Sequence, residues 1–393
     1  MQKVDYWIWF TQKNGLRPAR CLELLERYGS PEPLFHMSKQ ELKKEKLSIR
    51  ERLIFQDKDL TYVESVKERC REVGIHILTY DNPAYPEKLR EISDPPLVLY
   101  VRCKERINLN EKICISMVGN RSMTKYGELA ANEIANGLAK AGVVVVSGMA
   151  TGIDSASHVG ALRGGGLTVA VLGCGVDVVY PRHNDRLMQD IISRGMVISE
   201  YPPGTPPIGK HFPVRNRIIS GLSEGVVVVE APARSGSLIT ADLALKQNRD
   251  VFAVPGDINR THSVGCNKLI SKGAILVNAA EDILREYELR FRNILKEYQK
   301  QENKKESMVY TAEKEDTFVV SAPETVFAET PDFSNLPDAR KRIADNLSLH
   351  PTSLEKLIET TKLSADELSM ELTMMELEGI IRQLPGKNFV LNA

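Results

Sequence analysis

Short runs of apolar, mostly β-branched residues recur through the middle of the chain and carry its clearest structural signal. Seven lie between residues 113 and 277, at Ile113–Val118, Val143–Val146, Leu167–Leu172, Met196–Ile198, Val226–Val229, Val251–Val254 and Ala274–Val277. Most lack polar alternation, and stretches with a helical period separate them. Continuous Val/Ile runs that alternate with helices indicate a parallel sheet covered on both faces. We therefore predict a doubly wound, Rossmann-like α/β domain over residues 72–290.

Three helix starts within this region are visible in the sequence. Asp154 is placed to cap a helix over Ser155–Arg163, and Asn184 to cap one over Asp185–Arg194. Pro213 suits the first turn of a further helix, because its missing N–H would have no helical partner there.

The N-terminal region, residues 1–71, has the pattern of short helices. Leu16–Gly29 places leucines on one face and ends at a glycine typical of a helix C-terminus. Pro31–Pro33 is expected to break the chain before a second helix near Ser38–Lys44. Two short helices around a glycine turn are typical of a SAM-like or helix-hairpin-helix module, and equally of a simple packing bundle.

The C-terminal region predicts a tethered winged-helix domain. Residues 291–335 shift in composition to Lys, Glu, Gln, Ser, Thr and Pro, which indicates a linker. Periodicity returns over residues 336–393, with three helices and then a hairpin across Gly386. The expected elements are Asp338–Asn346, Ser353–Thr361, Ala365–Glu378, Ile380–Leu384 and Asn388–Leu391, which is the order of a winged helix.

Composition indicates the cellular compartment of the protein and limits the kinds of partner that it can bind. The 393 residues include 52 basic and 52 acidic ones, so a nucleic-acid partner would require local charge segregation. The six cysteines are scattered without a Cys-x-x-Cys pair, which indicates reduced thiols rather than disulfides or zinc ligands. The first residues are polar, and no segment approaches the ~18 apolar residues of a membrane span. We expect a soluble cytoplasmic protein with no membrane partner.

Local charge segregation occurs in the loops where a ligand would bind. In an open parallel sheet, ligands lie beyond the carboxyl ends of the strands. Three segments that lie at or directly after the ends of predicted strands contain no carboxylate, namely the windows 112–127, 201–223 and 231–241. Glycines and arginines in such loops bring N–H donors and charge to an anion, although each loop alone could be a tight turn with solvated arginines. Together they predict a local anion site.

Other chemistries have little support in the sequence. There is no P-loop, the Gly-x-Gly at 173–175 lacks its third glycine, and the histidines lack metal-ligand spacing. We interpret His158 and Cys174 as packing residues. Glu200 and Glu230 lie at the ends of predicted strands. Two roles fit such acidic residues, namely a catalytic one, and a structural one in capping or in pairing with arginine. We expect no catalytic residue, no metal and no cofactor.

The segment around Phe212 is the most informative single stretch. Phe212 lies beside Lys210, Arg215 and Arg217. Cations next to an aromatic platform are what single-stranded nucleic acid requires, since charge follows the backbone and a ring stacks a base. A Phe212 buried under the loop is the alternative interpretation.

At these residues the chain resembles the DprA/Smf family of DNA-processing proteins. The matching stretches, within about residues 80–285, are Val118–Arg121, Ser147–Asp154, Phe212–Ser223, Val228–Ala231, Ser235–Ala241, Val251–Gly256 and Leu269–Ala274. The resemblance implies an extended Rossmann fold that binds single-stranded DNA without enzymatic activity. It also implies a homodimer through that fold, which protects incoming DNA and passes it to a RecA-type recombinase in natural transformation.

The resemblance also implies which residues form the site, because the matching stretches align residue by residue. The implied nucleic-acid-binding residues are Arg121, Ser147, Gly148, Lys210, Phe212, Arg215, Asn216, Arg217, Ser235, Gly236 and Ser237. Two positions depart from the family pattern. Asn120 replaces a small residue, and Asn248 replaces a frequent glycine.

The sequence offers two alternative functions. The Rossmann-like region is also similar to lysine-decarboxylase-like phosphoribohydrolases, which are nucleotide-processing hydrolases, but Leu238–Ile239 replaces their Gly-Thr and Asp242 their catalytic glutamate. A sequence-specific regulator would read DNA through the third winged-helix segment. That segment, Ser364–Ile381, has five carboxylates and no basic residue, so we predict that it does not read DNA.

Overall fold

The computed structural model describes residues 1–13, 15–288, 337–347, 352–378, 380–384 and 388–391. The chain divides into two compact units, Met1–Glu315 and Asp316–Ala393. The predicted linker, residues 291–335, lies outside the described residues.

Six helices open the first unit. They are α1 (Lys3–Thr11), α2 (Pro18–Tyr28), α3 (Pro31–His36), α4 (Lys39–Lys44), α5 (Ile49–Gln56) and α6 (Thr61–Val73). The helix predicted to end at Gly29 does so, with Gly29 at φ +76°, and α4 begins with a capping box between Ser38 and Glu41. The predicted break at Pro31 is wrong, because a proline at the first position of a helix gives up only an N–H that has no partner there.

A nine-stranded sheet forms the centre of the first unit. Its strands are β1 (His76–Thr79), β2 (Val98–Arg102), β3 (Cys114–Val118), β4 (Val144–Ser147), β5 (Thr168–Val171), β6 (Met196–Ser199), β7 (Gly225–Val228), β8 (Asp250–Ala253) and β9 (Ile275–Leu276). Their order is β1-β2-β6-β5-β4-β3-β7-β8-β9. All seven predicted runs form the parallel strands β3 to β9, whereas β1 and β2, which pair antiparallel beside β6, were not predicted.

Helices cover both faces of this sheet, as predicted. They are α7 (Glu87–Arg90), α8 (Lys125–Lys140), α9 (Ile153–Arg163), α10 (Asp185–Arg194), α11 (His211–Gly221), α12 (Gly236–Lys246), α13 (Val264–Ser271) and α14 (Ala280–Tyr287). Alternate strand residues face opposite layers. Val144 and Val146 belong to the apolar cluster that includes residues of α11, α12 and α13, and Val145 belongs to the cluster that includes residues of α8, α9 and α14. In the described ranges, no helix combines the length and apolar character needed to cross a membrane.

The N-terminal helices pack directly on the sheet. Trp7 and Phe10 share one apolar cluster with Tyr100 of β2 and Val197 of β6. The boundary predicted between residues 71 and 72 falls within the last turn of α6. Whether the helices form a SAM-like or helix-hairpin-helix module stays a prediction.

The predicted cap of α9 is wrong. This helix begins at Ile153, and Gly152 at φ +87° occupies the cap position. A Cβ at residue 152 would collide with the Asn120 carbonyl, so only glycine fits the tight entry. Asp154 lies instead in the first helical turn, where it is buried.

The other two helix starts lie where they were predicted. Asn184 is the cap residue of α10, but its side-chain amide donates to the Met149 carbonyl at 2.9 Å instead of accepting from the helix. Pro213 lies in the first turn of α11.

The second unit has the predicted winged-helix elements. They are α15 (Asp338–Asp345), β10 (Thr352–Ser353), α16 (Leu354–Thr361), α17 (Ala365–Leu377), β11 (Ile381–Leu384) and β12 (Asn388–Leu391). The strands form a sheet in the order β10-β12-β11, of which β10 was not predicted. Leu368, Leu372 and Met375 of α17 are buried in the core of this unit. Gly386, at which the hairpin was predicted to turn, lies outside the described positions.

Candidate functional site

A cleft of about 560 Å³ opens at the carboxyl edge of the sheet, where the strand order reverses between β3 and β7. The loops after β3, β4, β5, β6 and β7 all contribute to its lining. This is the crevice in which open α/β sheets bind their ligands, and it is the edge at which the acid-free windows predicted an anion site.

The structure brings seven of the eleven predicted site residues to this cleft. They are Arg121, Phe212, Arg215, Asn216, Ser235, Gly236 and Ser237. The remaining four, Ser147, Gly148, Lys210 and Arg217, are not part of the lining.

Among the described residues, the exposed cations at the cleft form no salt bridge, although the buried Asp154 carboxylate also lines the cleft and lies within electrostatic range of Arg121. Arg121 and Arg234 line the cleft and are exposed, and Lys210 is exposed immediately before α11. Lys125, from the same acid-free window as Arg121, instead pairs with Glu128 at 3.0 Å. The positive charge available to a ligand therefore comes from a subset of the cations visible in the sequence.

Arg215 lies beneath the cleft and is only 3% exposed. Its guanidinium donates to the Val171 carbonyl, and its Nε has no hydrogen-bond partner. Burial lowers the pKa of Arg215, an effect that the nearby Asp154 carboxylate opposes. A Cβ at Gly148 would collide with this guanidinium, so Gly148 provides the space that Arg215 occupies.

Arg217 is engaged away from the cleft. Its guanidinium donates to both Glu200 oxygens, at 2.8 and 2.7 Å, and to the Asp94 carboxylate at 3.0 Å. The Arg217 side chain is 11% exposed. Of the two roles considered for Glu200, the geometry matches pairing with arginine.

The serines near the cleft make short-range structural hydrogen bonds. Ser147 is buried and donates to the Met117 carbonyl at 2.6 Å, which ties β4 to β3. Ser235 caps α12, accepting from the Ser237 N–H at 3.3 Å. The N-terminus of α12, with Gly236 exposed, therefore faces the cleft, where the positive end of the helix dipole favours an anion.

Two aromatic rings meet in the cleft. Phe212 is half-buried, and the Arg121 guanidinium lies 5.6 Å from its ring centroid. The ring of Tyr180 lies 5.3 Å from that of Phe212, tilted by 32°. Tyr180 and Arg234 were not among the predicted site residues. Both follow strands in the sequence, but the direction of a loop side chain cannot be read from its position.

The other candidate groups have structural partners. Glu230 is buried and accepts from the N–H of Thr124 at 2.9 Å, at the start of α8. His158 lies 2.6 Å from the Thr168 hydroxyl, and burial lowers its pKa to about 3. Burial raises the pKa of Cys174 to about 11. His158 and Cys174 are thus the packing residues predicted. The described part of the chain contains no cluster of three or more His, Cys, Asp or Glu suited to a metal.

The two departures from the family pattern have local explanations. Asn248 adopts φ +56°, the left-handed conformation that glycine favours and asparagine tolerates. The Asn120 amide donates to the Ser122 carbonyl at 2.7 Å and shares a 3.2 Å hydrogen bond with His262.

Comparisons with known proteins agree with this geometry. Residues 76–288 match the family described as DNA recombination-mediator protein A, and residues 328–387 match the DprA winged helix domain. Protein Smf from Synechocystis sp. is 33% identical over 396 residues, which cover 98% of each chain. DNA processing protein DprA from Streptococcus pneumoniae is 39% identical over 293 residues, covering 73% of this chain and 100% of that protein.

A solved structure supports the same assignment. The X-ray structure of DNA processing protein A from Streptococcus pneumoniae superimposes with a TM-score of 0.62 at 36% identity, covering 73% of this chain and 99% of that one. From its sequence, its sheet and its C-terminal domain, the chain belongs to the DprA/Smf family of DNA-processing proteins.

Proposed function

We propose that the cleft binds single-stranded DNA and that the protein is a non-enzymatic carrier of such DNA. One observation carries the proposal. Among the described residues, the exposed cations Arg121, Lys210 and Arg234 form no salt bridge. Arg121 and Arg234 line a cleft that holds two aromatic rings, Phe212 and Tyr180, and Lys210 directly follows its lining residue Gly209. Cations that follow a backbone, together with rings that stack bases, are the two requirements of single-strand binding.

The shape of the cleft favours a single strand over a duplex. Its volume of about 560 Å³ is that of a small-molecule pocket, ~300–1,000 Å³. A duplex keeps its bases stacked inside, so rings within such a cleft could reach a base only if the strand were unpaired. The N-terminus of α12 adds uncharged N–H donors for a phosphate.

The test is fluorescence anisotropy with single-stranded and duplex oligonucleotides over a salt series. Three to five neutralised phosphates at ~0.7 each give a log–log salt slope of about −2 to −3.5 on single strands. Arg121→Ala should weaken binding, while Lys125→Ala should not, because Lys125 is paired with Glu128 on α8. Equal affinity for duplex and single strand, or a flat response to salt, would refute the proposal.

The absence of enzymatic activity is part of the proposal. In the hydrolase alternative, Asp242 stands where the catalytic glutamate belongs, yet Asp242 is exposed on α12 and is not part of the cleft lining. Incubation with nucleoside monophosphates, ATP and DNA, with and without a divalent metal, tests this point. Turnover that disappears in Asp242→Asn would support the hydrolase instead.

We also propose that the protein is a homodimer through its Rossmann-like unit. Apolar side chains are exposed on α12, α13 and β9, near one edge of the sheet: Leu245 at 59%, Val264 at 40% and Leu276 at 42%. Light scattering after size exclusion should give the mass of a dimer, and Leu245→Glu should give that of a monomer. Leu129→Glu, at a position of α8 that is 51% exposed, is the matched control and should stay dimeric. A monomeric wild type would refute this part.

The biological role proposed follows from membership of the family. The protein would protect incoming DNA in the cytoplasm and load a RecA-type recombinase onto it during natural transformation. A strand-exchange reaction with single-stranded DNA precoated by a single-strand-binding protein tests the loading step. We expect the recombinase to form filaments only when this protein is added.

A further inference from the structure

The Phe212 ring is enclosed on several sides by the protein itself. A Cβ at Gly173 would lie 2.9 Å from the Phe212 Cδ1, so the chain of the β5 loop runs close against this ring. The Arg121 guanidinium and the Tyr180 ring also contact it, at 5.6 and 5.3 Å between centres. A base stacking on the Arg121 side would have to displace that cation, which is one of the few free to meet a phosphate.

The Tyr180 ring is the more accessible of the two. Tyr180 is 38% exposed and lines the cleft, whereas Phe212 is half-buried. Tyr180 packs against Phe212 on one side, and its exposed part is open to the cleft that it lines. An amphipathic ring exposed beside unpaired cations is a suitable surface for a nucleobase.

The backbone around Tyr180 is held at both ends. Before it, the Val178 N–H donates to the Gly175 carbonyl at 2.9 Å. After it, the Asn184 N–H donates to the Pro181 carbonyl at 3.0 Å, and the Asn184 amide donates to the Met149 carbonyl at 2.9 Å. A ring on a segment fixed in this way loses little freedom when it binds a ligand, which favours affinity.

We infer that a nucleobase stacks on the Tyr180 ring and that Phe212 acts behind it, as a support for Tyr180 and for Arg121. This inference rests on the proposed function and specifies the base-stacking residue of the same cleft. Tyr180 is then a direct contact to DNA, and Phe212 a positioning residue.

The experiment compares two oligonucleotides, one normal and one with abasic sites in its central positions, on the full-length protein. Stacking makes the normal strand bind more tightly, by on the order of 5- to 150-fold per base. Tyr180→Leu should remove this difference and leave the affinity for the abasic strand unchanged, whereas Tyr180→Phe should keep it. Phe212→Leu should weaken the binding of both strands and retain the difference between them. Tyr62→Leu, at an exposed tyrosine on α6, is the control and should behave as wild type.

The outcomes separate this inference from the proposed function. If Tyr180→Leu keeps the difference between the strands while Phe212→Leu removes it, the base stacks on Phe212 and the inference is wrong. If the wild type binds neither oligonucleotide, the proposed function itself fails. A strand that carries 2-aminopurine gives an independent readout, because stacking quenches its fluorescence. Quenching that survives in Tyr180→Leu would also overturn the inference.

Discussion

Replacing Arg217 should cost the protein stability and leave its affinity for DNA nearly unchanged. Arg217 bridges Glu200, at 2.8 and 2.7 Å, and Asp94, at 3.0 Å, with its own side chain only 11% exposed. Arg217→Gln would leave two carboxylates facing a neutral side chain in a largely buried position. The unsatisfied Glu200, 17% exposed, is the main source of the expected loss.

The size of the destabilisation expected for Arg217→Gln follows from how deeply the ion-paired side chains are buried. Removing one partner of a fully buried ion pair costs ~3–5 kcal/mol. The Asp94 side chain is 38% exposed, so solvent screens that contact and it contributes little. We therefore expect Arg217→Gln to lower the free energy of unfolding by about 2–3 kcal/mol. In a unit of this size that corresponds to a fall in Tm of roughly 4–12 °C.

Urea denaturation followed by tryptophan fluorescence measures this change, because Trp7 and Trp9 are buried in the cluster that joins the helices to the sheet. Glu200→Gln and the double variant complete a cycle, whose coupling energy isolates the pair. Lys125→Gln, which breaks an exposed pair, should change stability by at most ~0.5 kcal/mol. An Arg217→Gln variant that keeps wild-type stability and loses more than tenfold in affinity for single-stranded DNA would contradict this prediction. Arg217 would then be the DNA contact that the sequence predicted.

Three further changes have defined outcomes. Arg121→Ala should reduce the salt slope of single-strand binding by ~0.7, the value of one phosphate contact, in an anisotropy titration. Burial holds the pKa of His158 at about 3 in the folded protein, against about 6.5 in the unfolded chain. Unfolding therefore takes up a proton below pH 6.5, and the free energy of unfolding decreases as the pH is lowered, by up to ~1.4 kcal/mol per pH unit. Between pH 6.5 and 5, His158→Asn should lose less stability than wild type in urea denaturation, and an equal loss would contradict this assignment. Truncation after Glu288 should leave single-strand affinity unchanged or higher, because α17 carries an excess of carboxylates, and a large loss of affinity would show that the C-terminal unit contributes to binding.

The position of the site was predictable because it depends on chain order alone. Buried parallel strands such as β4 and β7 are continuous apolar runs, and the residues that follow them must lie at one edge of the sheet. The charge of that edge was also visible, since the acid-free windows are contiguous in the sequence. The antiparallel strands β1 and β2 are as long as the strands that were predicted, and they were missed because prolines interrupt the segment in which they occur.

The role of each cation was not predictable, because it depends on partners distant in the chain. Arg215 and Arg217 lie two residues apart on α11, which places them on nearly opposite sides of the helix. One reaches under the cleft to Val171, and the other reaches Asp94, 123 residues away in sequence. Val171 and Asp94 lie near α11 only because the whole sheet and its helices pack together, and this packing cannot be read from the local sequence.

The same pairing explains how a chain with no net charge can present a positive cleft. The acidic residues near this edge have internal partners: Glu200 binds Arg217, Glu230 accepts from Thr124, and Asp154 is buried close to Arg215. Their charges are thereby offset or withdrawn from solvent, and the cations that remain free dominate the local field.

This arrangement sharpens the expected salt dependence of DNA binding. If only Arg121, Lys210 and Arg234 neutralise phosphates, three contacts at ~0.7 each give a slope near −2. If Arg215 and Arg217 also met phosphates directly, five contacts would give a slope near −3.5. N–H donors at the start of α12 can bind a phosphate oxygen without adding a formal charge, so they should strengthen binding with little effect on the slope. A measured slope near −2 that is unchanged in Arg217→Gln would support the division between structural and DNA-facing arginines. A slope near −3.5 that falls by ~0.7 in that variant would show that Arg217 leaves Glu200 when DNA binds.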